Sequence, residues 1–234
     1  MALSRTISSN QAGCHPRLAH VVRKHLSHEW QRPPAAFSGQ VFDQVRQWLE
    51  ARGAPLILDS GCGTAASSIS IAQQHPDCSV LGFDRSAVRL RRRQQSVPPN
   101  CMLIRADAQD LWRQLASHEF RTRHHFLLYP NPYPKASQLN SRWHGSPAFP
   151  ALLSLGGEID VRSNWKTYLD EFQQALGIAG FTSQLEPYEP RVPLTLFEQK
   201  YANSGHALWR LTASLDASTG EYRGERPEMH RHRG

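Results

Sequence analysis

The chain has 234 residues, 39% of them hydrophobic, enough for the core of one globular domain with tails. No stretch of about 18 apolar residues occurs, so a membrane-spanning helix is not expected. The net charge of +7 is carried mainly by arginine, since the 27 basic residues include four lysines (Lys24, Lys135, Lys166 and Lys200). An arginine-rich surface suits phosphate contacts and stacking on bases, or simply reflects an arginine-biased genome composition; charge alone leaves both open. The first 18 residues, MALSRTISSNQAGCHPRL, lack the apolar centre of a secretory leader. Cys14, Cys62, Cys78 and Cys101 form no C-x-x-C pair. A reducing, cytoplasmic location is expected.

Residues 1–38 are basic and end near Pro33-Pro34; they read as an N-terminal arm with one helix over His20–Trp30. Residues 39–215 read as the folded domain. Val41, Phe42, Val45, Trp48 and Leu49 recur at helical spacing. Leu56–Leu58 is a short apolar run, hence a strand, and Ala65–Gln74 a helix. Ser79–Phe83 is a second strand, followed by an arginine-studded helix over Ala87–Gln95. Met102–Ile104 and Phe126–Tyr129 are the third and fourth strands, separated by a helix over Gln109–Ser117. Phe149–Leu155 reads as a helix ending at Gly156-Gly157. A fifth strand over Glu158–Val161 and an amphipathic helix over Trp165–Ile178 follow. Thr182–Leu185 and Ala207–Thr212 supply the last two strands. Residues 216–234 are polar and broken by Gly and Pro, so a disordered tail is expected, with His230 and His232 solvated and not metal-binding.

Strands alternating with helices of about ten residues predict an α/β, Rossmann-like, seven-stranded, mostly parallel sheet with helices on both faces. Ligands of such sheets lie beyond the carboxyl ends of the strands. The first strand ends Asp59-Ser60-Gly61-Cys62-Gly63-Thr64, where Gly61 and Gly63 permit a tight turn and a close backbone approach. Ala66 stands where the last small residue of a dinucleotide fingerprint would fall, which keeps an NAD site as an alternative. Asp59, however, precedes the first glycine by two residues. A carboxylate there repels a pyrophosphate and attracts a cationic sulfonium or ammonium group. Asp84 ends the second strand, where it can accept ribose hydroxyls or cap the following helix. Asp107, with Ala108 beside it, ends the third, where it can accept an adenine amino group or cap the next helix. Three acids at three successive strand tips favour an adenosyl-sulfonium ligand.

The fourth strand runs into Tyr129-Pro130-Asn131-Pro132-Tyr133-Pro134-Lys135, whose prolines cannot continue a sheet. Further on come Arg162-Ser163-Asn164-Trp165, then Thr195-Leu196-Phe197-Glu198, Gly205 and Trp209. The ensemble resembles the class I S-adenosylmethionine-dependent methyltransferases. Within them it is similar to the tRNA (guanine-N(7)-)-methyltransferase family, with its F-P-D-P-W-x-K, T-D-W and T-K-F-E segments in the same order over about residues 55–212. The resemblance implies S-adenosyl-L-methionine as cofactor and tRNA as substrate. It places Asp59, Gly61, Gly63, Asp84, Asp107, Ala108 and Asn131 on the cofactor side. Tyr133, Lys135, Asn164, Thr195 and Glu198 fall on the substrate side, and Asn131 at the catalytic position. Two departures stand out: the family's loop Asp is Asn131 here, and the Asp of T-D-W is Asn164.

The seven-nitrogen of guanine carries a free lone pair, so its methylation needs alignment and no prior deprotonation. Good alignment supplies about 7–11 kcal/mol. Asn131 can accept a hydrogen bond but cannot offset charge developing on the ring. Enzymes that methylate amines use N-P-P-[Y/F], close to Asn131-Pro132-Tyr133, so transfer to an exocyclic amine is an alternative, as is a homologue that binds without transfer. Tyr133 is placed to stack on a base, or to pack on the sheet edge. The crowd of Arg85, Arg89, Arg91, Arg92 and Arg93 fits a phosphate-tracking face or a solvated helix. His124 and His125 have no partners at metal spacing, so no metal is expected.

Overall fold

The computed structural model describes residues 7–93 and 95–216; the expected tail beyond Asp216 lies outside the described residues. The elements run α1 (Leu18–Ser27), α2 (Ala36–Arg52), β1 (Leu56–Ser60), α3 (Ala66–Gln74), β2 (Ser79–Asp84), α4 (Ala87–Arg91), β3 (Cys101–Arg105) and α5 (Ala108–Ser117). The chain continues through β4 (Thr122–Leu128), two 3-10 turns (Ala136–Ser141 and Trp143–Gly145), α6 (Phe149–Ser154), β5 (Glu158–Ser163) and α7 (Lys166–Ile178). β6 (Ser183–Pro187), α8 (Leu196–Asn203) and β7 (Trp209–Ser214) complete it. The seven strands form one sheet in the order β3-β2-β1-β4-β5-β7-β6. β3, β2, β1, β4 and β5 pair in parallel; β7 pairs antiparallel with both β5 and β6.

The pleat divides β1 between two cores: Leu56 and Leu58 join the larger cluster, and Ile57 the smaller one with Ile71 and Ala72 of α3. β1, β2, β3 and β5 extend one or two residues beyond the apolar runs of the sequence, because ladder pairing continues through polar residues such as Asp59, Asp84 and Arg162. β4 instead starts four residues early and ends one short of Tyr129, and β6 and β7 begin one and two residues late. α4 is the reverse case. It stops at Arg91, four residues short of the expected end, and has no buried residue to anchor it.

The stretch expected as an arm is partly built into the domain. α1 starts two residues before the expected helix, and Leu18, Val21 and Val22 are buried against α6 and α7. Arg113 then donates to the Trp30 and Arg32 carbonyls at 2.8 and 2.6 Å, with its guanidinium over the Trp30 ring. Asp110, fully buried in α5, accepts from the Ala35 amide at 2.8 Å and from Arg32 at 3.3 Å.

Candidate active site

The strand order reverses between β1 and β4, and a cavity of about 840 Å³ opens there at the carboxyl ends of the strands. Its walls are the turn 61–64, the tips of β2 and β3, the proline loop after β4, Trp143 and the start of α8.

Asp59 lines this cavity although only 1% of its surface is exposed. Its Oδ2 accepts from Ser67 at 2.5 Å and Ser68 at 2.6 Å, both on the first turns of α3. Its Oδ1 is buried with no hydrogen-bond partner. Burial raises the carboxyl pKa, and the two serine hydroxyls oppose that rise. Gly82 on β2 makes the arrangement possible: a Cβ there would stand 2.1 Å from the Ser68 hydroxyl. Gly61 (φ +76°) and Gly63 (φ +60°) take the left-handed conformations that the turn requires. The Gly63 amide donates to Asp84 Oδ2 at 3.0 Å. Asp84 Oδ1 accepts from the Ser86 amide at 2.7 Å and pairs with Arg89 at 3.2 Å. Asp107 lines the cavity and also caps α5, accepting from the Gln109 amide at 3.0 Å, the helix-capping role read from the sequence. Ala108 lines the same wall.

The proline loop is held between two tyrosines in the left-handed region, Tyr129 (φ 52°) and Tyr133 (φ 45°). For bulky side chains such a conformation costs about 1–3 kcal/mol each and persists only where the surroundings impose it. They do so here. The Tyr129 amide donates to the Arg162 carbonyl at 2.9 Å, and its hydroxyl to Glu198 at 3.0 Å. The Tyr133 carbonyl accepts two N–H groups of Arg142, at 3.0 and 3.1 Å. Arg142 is fully buried, lies over the Trp165 ring and pairs with Glu171 of α7, itself fully buried. Glu171 also accepts from His144 Nε2 (2.9 Å), the His15 amide (2.8 Å) and Gln11 Nε2 (2.5 Å). Burial alone would raise the Glu171 pKa, but the bonds from His144 and Arg142 outweigh it and hold it at about 2. The N-terminal segment straps the far side of the loop: Ser9 donates to the Pro134 carbonyl at 2.6 Å, and Asn10 accepts from the Ala136 amide at 3.0 Å.

The structure brings most of the residues singled out from the sequence to one place. Asp59, Gly61, Gly63, Asp84, Asp107, Ala108, Asn131, Tyr133 and Thr195 all line the cavity, Asn131 as an exposed rim residue. Three do not. Lys135 is exposed just past the loop, and Asn164 lies beside His206 at 3.2 Å; neither lines the cavity. Glu198 is fully buried behind the wall, where it bonds Tyr129, Arg162 (3.0 Å) and the Leu194 amide (2.6 Å). Its own amide donates to Thr195 Oγ1 at 2.9 Å, the start of α8. Ser67, Ser68, Arg142, Trp143 and Glu171 went unread in the sequence. Trp143 packs edge-on against Trp112, and its ring would lie 3.4 Å from a Cβ at Gly61. Beneath β1, Trp112 Nε1 donates to the Ser60 hydroxyl at 3.0 Å, which bonds His125 Nε2 at 2.7 Å; burial pushes the His125 pKa down to about 3 and keeps the ring neutral. Elsewhere His75, Asp77 and Cys78 bring ligand-type atoms within 4.8 Å of one another, but Arg123 already donates to both Asp77 and the Cys78 sulfur there.

Residues 53–211 match the model of a family described as "Putative methyltransferase". The tRNA (guanine-N(7)-)-methyltransferase of Nitrosospira multiformis is 28% identical over 206 residues, 82% of this chain and 88% of the relative. That of Aeromonas hydrophila subsp. hydrophila is 27% identical, over 83% of this chain and 86% of its own. Among solved structures, the 16S rRNA methyltransferase KamB superposes with a TM-score of 0.56 at 18% identity, over 80% of this chain and 97% of its own. The antibiotic-resistance methyltransferase Kmr gives 0.53 at 23% identity, over 76% and 94%. The sheet is thus that of the class I methyltransferases, and the cavity lies where its order reverses. With two thirds of its length matched by the family model, the chain belongs to this methyltransferase family, as a divergent relative of the tRNA (guanine-N(7)-)-methyltransferases.

Proposed function

We propose that the protein transfers the methyl group of S-adenosylmethionine to an RNA base, with the seven-nitrogen of a guanine in tRNA as acceptor. The observation that carries this reading is Asp59: a buried carboxylate on the cavity wall with one oxygen bound by two serines and the other unpartnered. An unsatisfied buried carboxylate oxygen is costly, and a cationic amino group in the cavity relieves that cost. The donor set therefore fits a ligand with an ammonium and a sulfonium. Asp59 would hold the amino group, Asp84 the ribose hydroxyls and Asp107 the adenine amino group. When bound, S-adenosylmethionine supplies a methyl group activated by its positive sulfur.

The residues of the chain orient and exclude. The loop 129–133 presents Asn131 at the rim, and its strained ends, fixed by Glu198 and Arg142, keep it from relaxing. Asp59, Asp84 and Asp107 are the carboxylates lining the cavity, so positive charge that grows on the acceptor ring is offset by them and not by residue 131. Asn131 retains a carbonyl to accept from the acceptor base. Arg85, Arg89 and Arg92 on one wall and Lys200 on another supply positive charge for the flanking phosphates.

Incubation with methyl-labelled S-adenosylmethionine and bulk tRNA, followed by mapping of the modified atom, tests the reading. Label at the seven-nitrogen of guanine is the expected result. Label on an exocyclic amine would redirect the acceptor, and no label in any RNA would remove RNA as the substrate.

A further inference from the structure

Among the described residues, the exposed large apolar side chains are Val88, Val192, Leu196 and Phe197, and two of them, Leu196 and Phe197, line the cavity. Val88 stands on α4, between Arg85 and Arg89, which line the cavity. The other three lie on the segment that opens α8, where Leu196 and Phe197 line the cavity directly, 57% and 48% exposed. Phe197 is also the outer member of a ring stack. It lies near parallel to Tyr201 (22°, centroids 6.0 Å apart), and Tyr201 in turn to His206 (29°, 5.4 Å). Tyr129, the first hinge of the proline loop, tilts against Tyr201 at 5.6 Å. The stack thus continues from the sheet end to an exposed phenyl ring over the mouth.

We propose that Phe197 receives the face of the acceptor base, extruded from its RNA helix into the cavity mouth; this rests on the RNA-methylation reading above. Three features commit the ring to a base. A flat apolar face that continues an existing stack matches a nucleobase, which offers a π surface whatever its sequence. Arg85, Arg89 and Arg92 line the same cavity and Lys200 lies one turn along α8, so positive charge is at hand, as a base still joined to two phosphates requires. Asp59, at the inner end of the cavity, is almost wholly buried, so an acceptor atom must travel inward to reach the methyl donor. A base paired within a duplex cannot do so, whereas an extruded one can. Phe197 is thereby a specificity-determining residue for the acceptor, while Thr195 and Glu198 on the same helix hold its wall in place.

A stem-loop RNA with one bulged 2-aminopurine, whose emission falls on stacking, is titrated with the protein in saturating S-adenosylhomocysteine. The wild-type protein and Phe197→Trp should quench the probe; Phe197→Ala and Phe197→Leu should not, the leucine being apolar without a π face. Affinity for S-adenosylhomocysteine should stay within about twofold, since that half of the cavity is untouched, and kcat/KM for tRNA should fall by about 5- to 140-fold in Phe197→Ala. Equal quenching by Phe197→Ala and wild type, or no quenching by wild type, would overturn the proposal. So would self-association of the wild type that Phe197→Ala abolishes while the probe is unaffected, since the ring would then cover a second copy. Quenching lost in Phe197→Ala while no RNA accepts methyl would leave stacking in place and remove the RNA-methylation reading instead.

Discussion

Replacing Arg142 with methionine tests whether the buried ion pair holds the proline loop. Methionine keeps the unbranched apolar stem but removes the guanidinium, which donates to the Tyr133 and Lys135 carbonyls, to Gln11 and to Glu171. Removing one partner of a buried pair costs about 3–5 kcal/mol. Glu171 keeps three other donors, His144, the His15 amide and Gln11, so the lower end applies, about 3 kcal/mol. For a domain of this size that corresponds to a fall in Tm of about 6–12 °C by calorimetry. The double variant Arg142→Met with Glu171→Met removes both charges but leaves His144, the His15 amide and Gln11 without their acceptor, so it should be no more stable than the single variant. It should not recover methyl transfer, because the Tyr133 carbonyl still lacks its donors and the loop is free to leave φ 45°. A single variant within about 2 °C of wild type, or a double variant with full activity, would refute the argument that this network shapes the loop.

Asp59→Asn keeps the shape and removes the charge; loss of one charge-assisted hydrogen bond, about 1.5–3 kcal/mol, should weaken S-adenosylhomocysteine binding by about 10- to 150-fold in calorimetric titration. Asn131→Asp restores a carboxylate to an exposed rim position, so stability should stay within about 0.5 kcal/mol while methyl transfer is kept or raised. The folded protein should also be sensitive to acid. His125 is neutral in the fold because burial lowers its pKa to about 3 from 6.5, so the unfolded chain binds the extra proton as pH falls below 6.5. Between pH 6.5 and 5 this alone should remove about 1.6 kcal/mol from the unfolding free energy. Glu171, at about 2 against an ordinary 4.5, adds a further loss below pH 4.5. Urea titrations at several pH values should show the slope, and His125→Gln, which keeps a polar atom toward Ser60, should reduce it above pH 4.5, the remainder coming from His144, His124 and His25, whose pKa values burial also lowers.

The alternation of strand and helix was legible because each central strand is a dense apolar run, and the acids that end β1, β2 and β3 stand out against those runs. What was not legible depends on distant partners. Glu171 reads as a polar residue on an amphipathic helix, and nothing in its neighbours shows that Arg142, 29 positions away, meets it in the core. Leu18, Val21 and Val22 are too few to separate a packed helix from a loose arm. Ser67 and Ser68 look like ordinary first-turn residues until Gly82, on the neighbouring strand, admits Ser68 to Asp59. Lys135 and Asn164 follow the right segments, but sequence order does not give the direction of a side chain leaving a loop. Glu198 was read toward the substrate; its carboxylate instead lies behind Tyr129, where it fixes the loop end.

The place of β7, last of the described strands yet between β5 and β6, sets an order of assembly. While the polypeptide is being made, β6 leaves the ribosome with no neighbour to zip against, and the margin of β5 stays open until Trp209–Ser214 arrives. A nascent chain halted before Trp209 would leave the β5 margin and both sides of β6 unpaired, the state most prone to sticking to its copies.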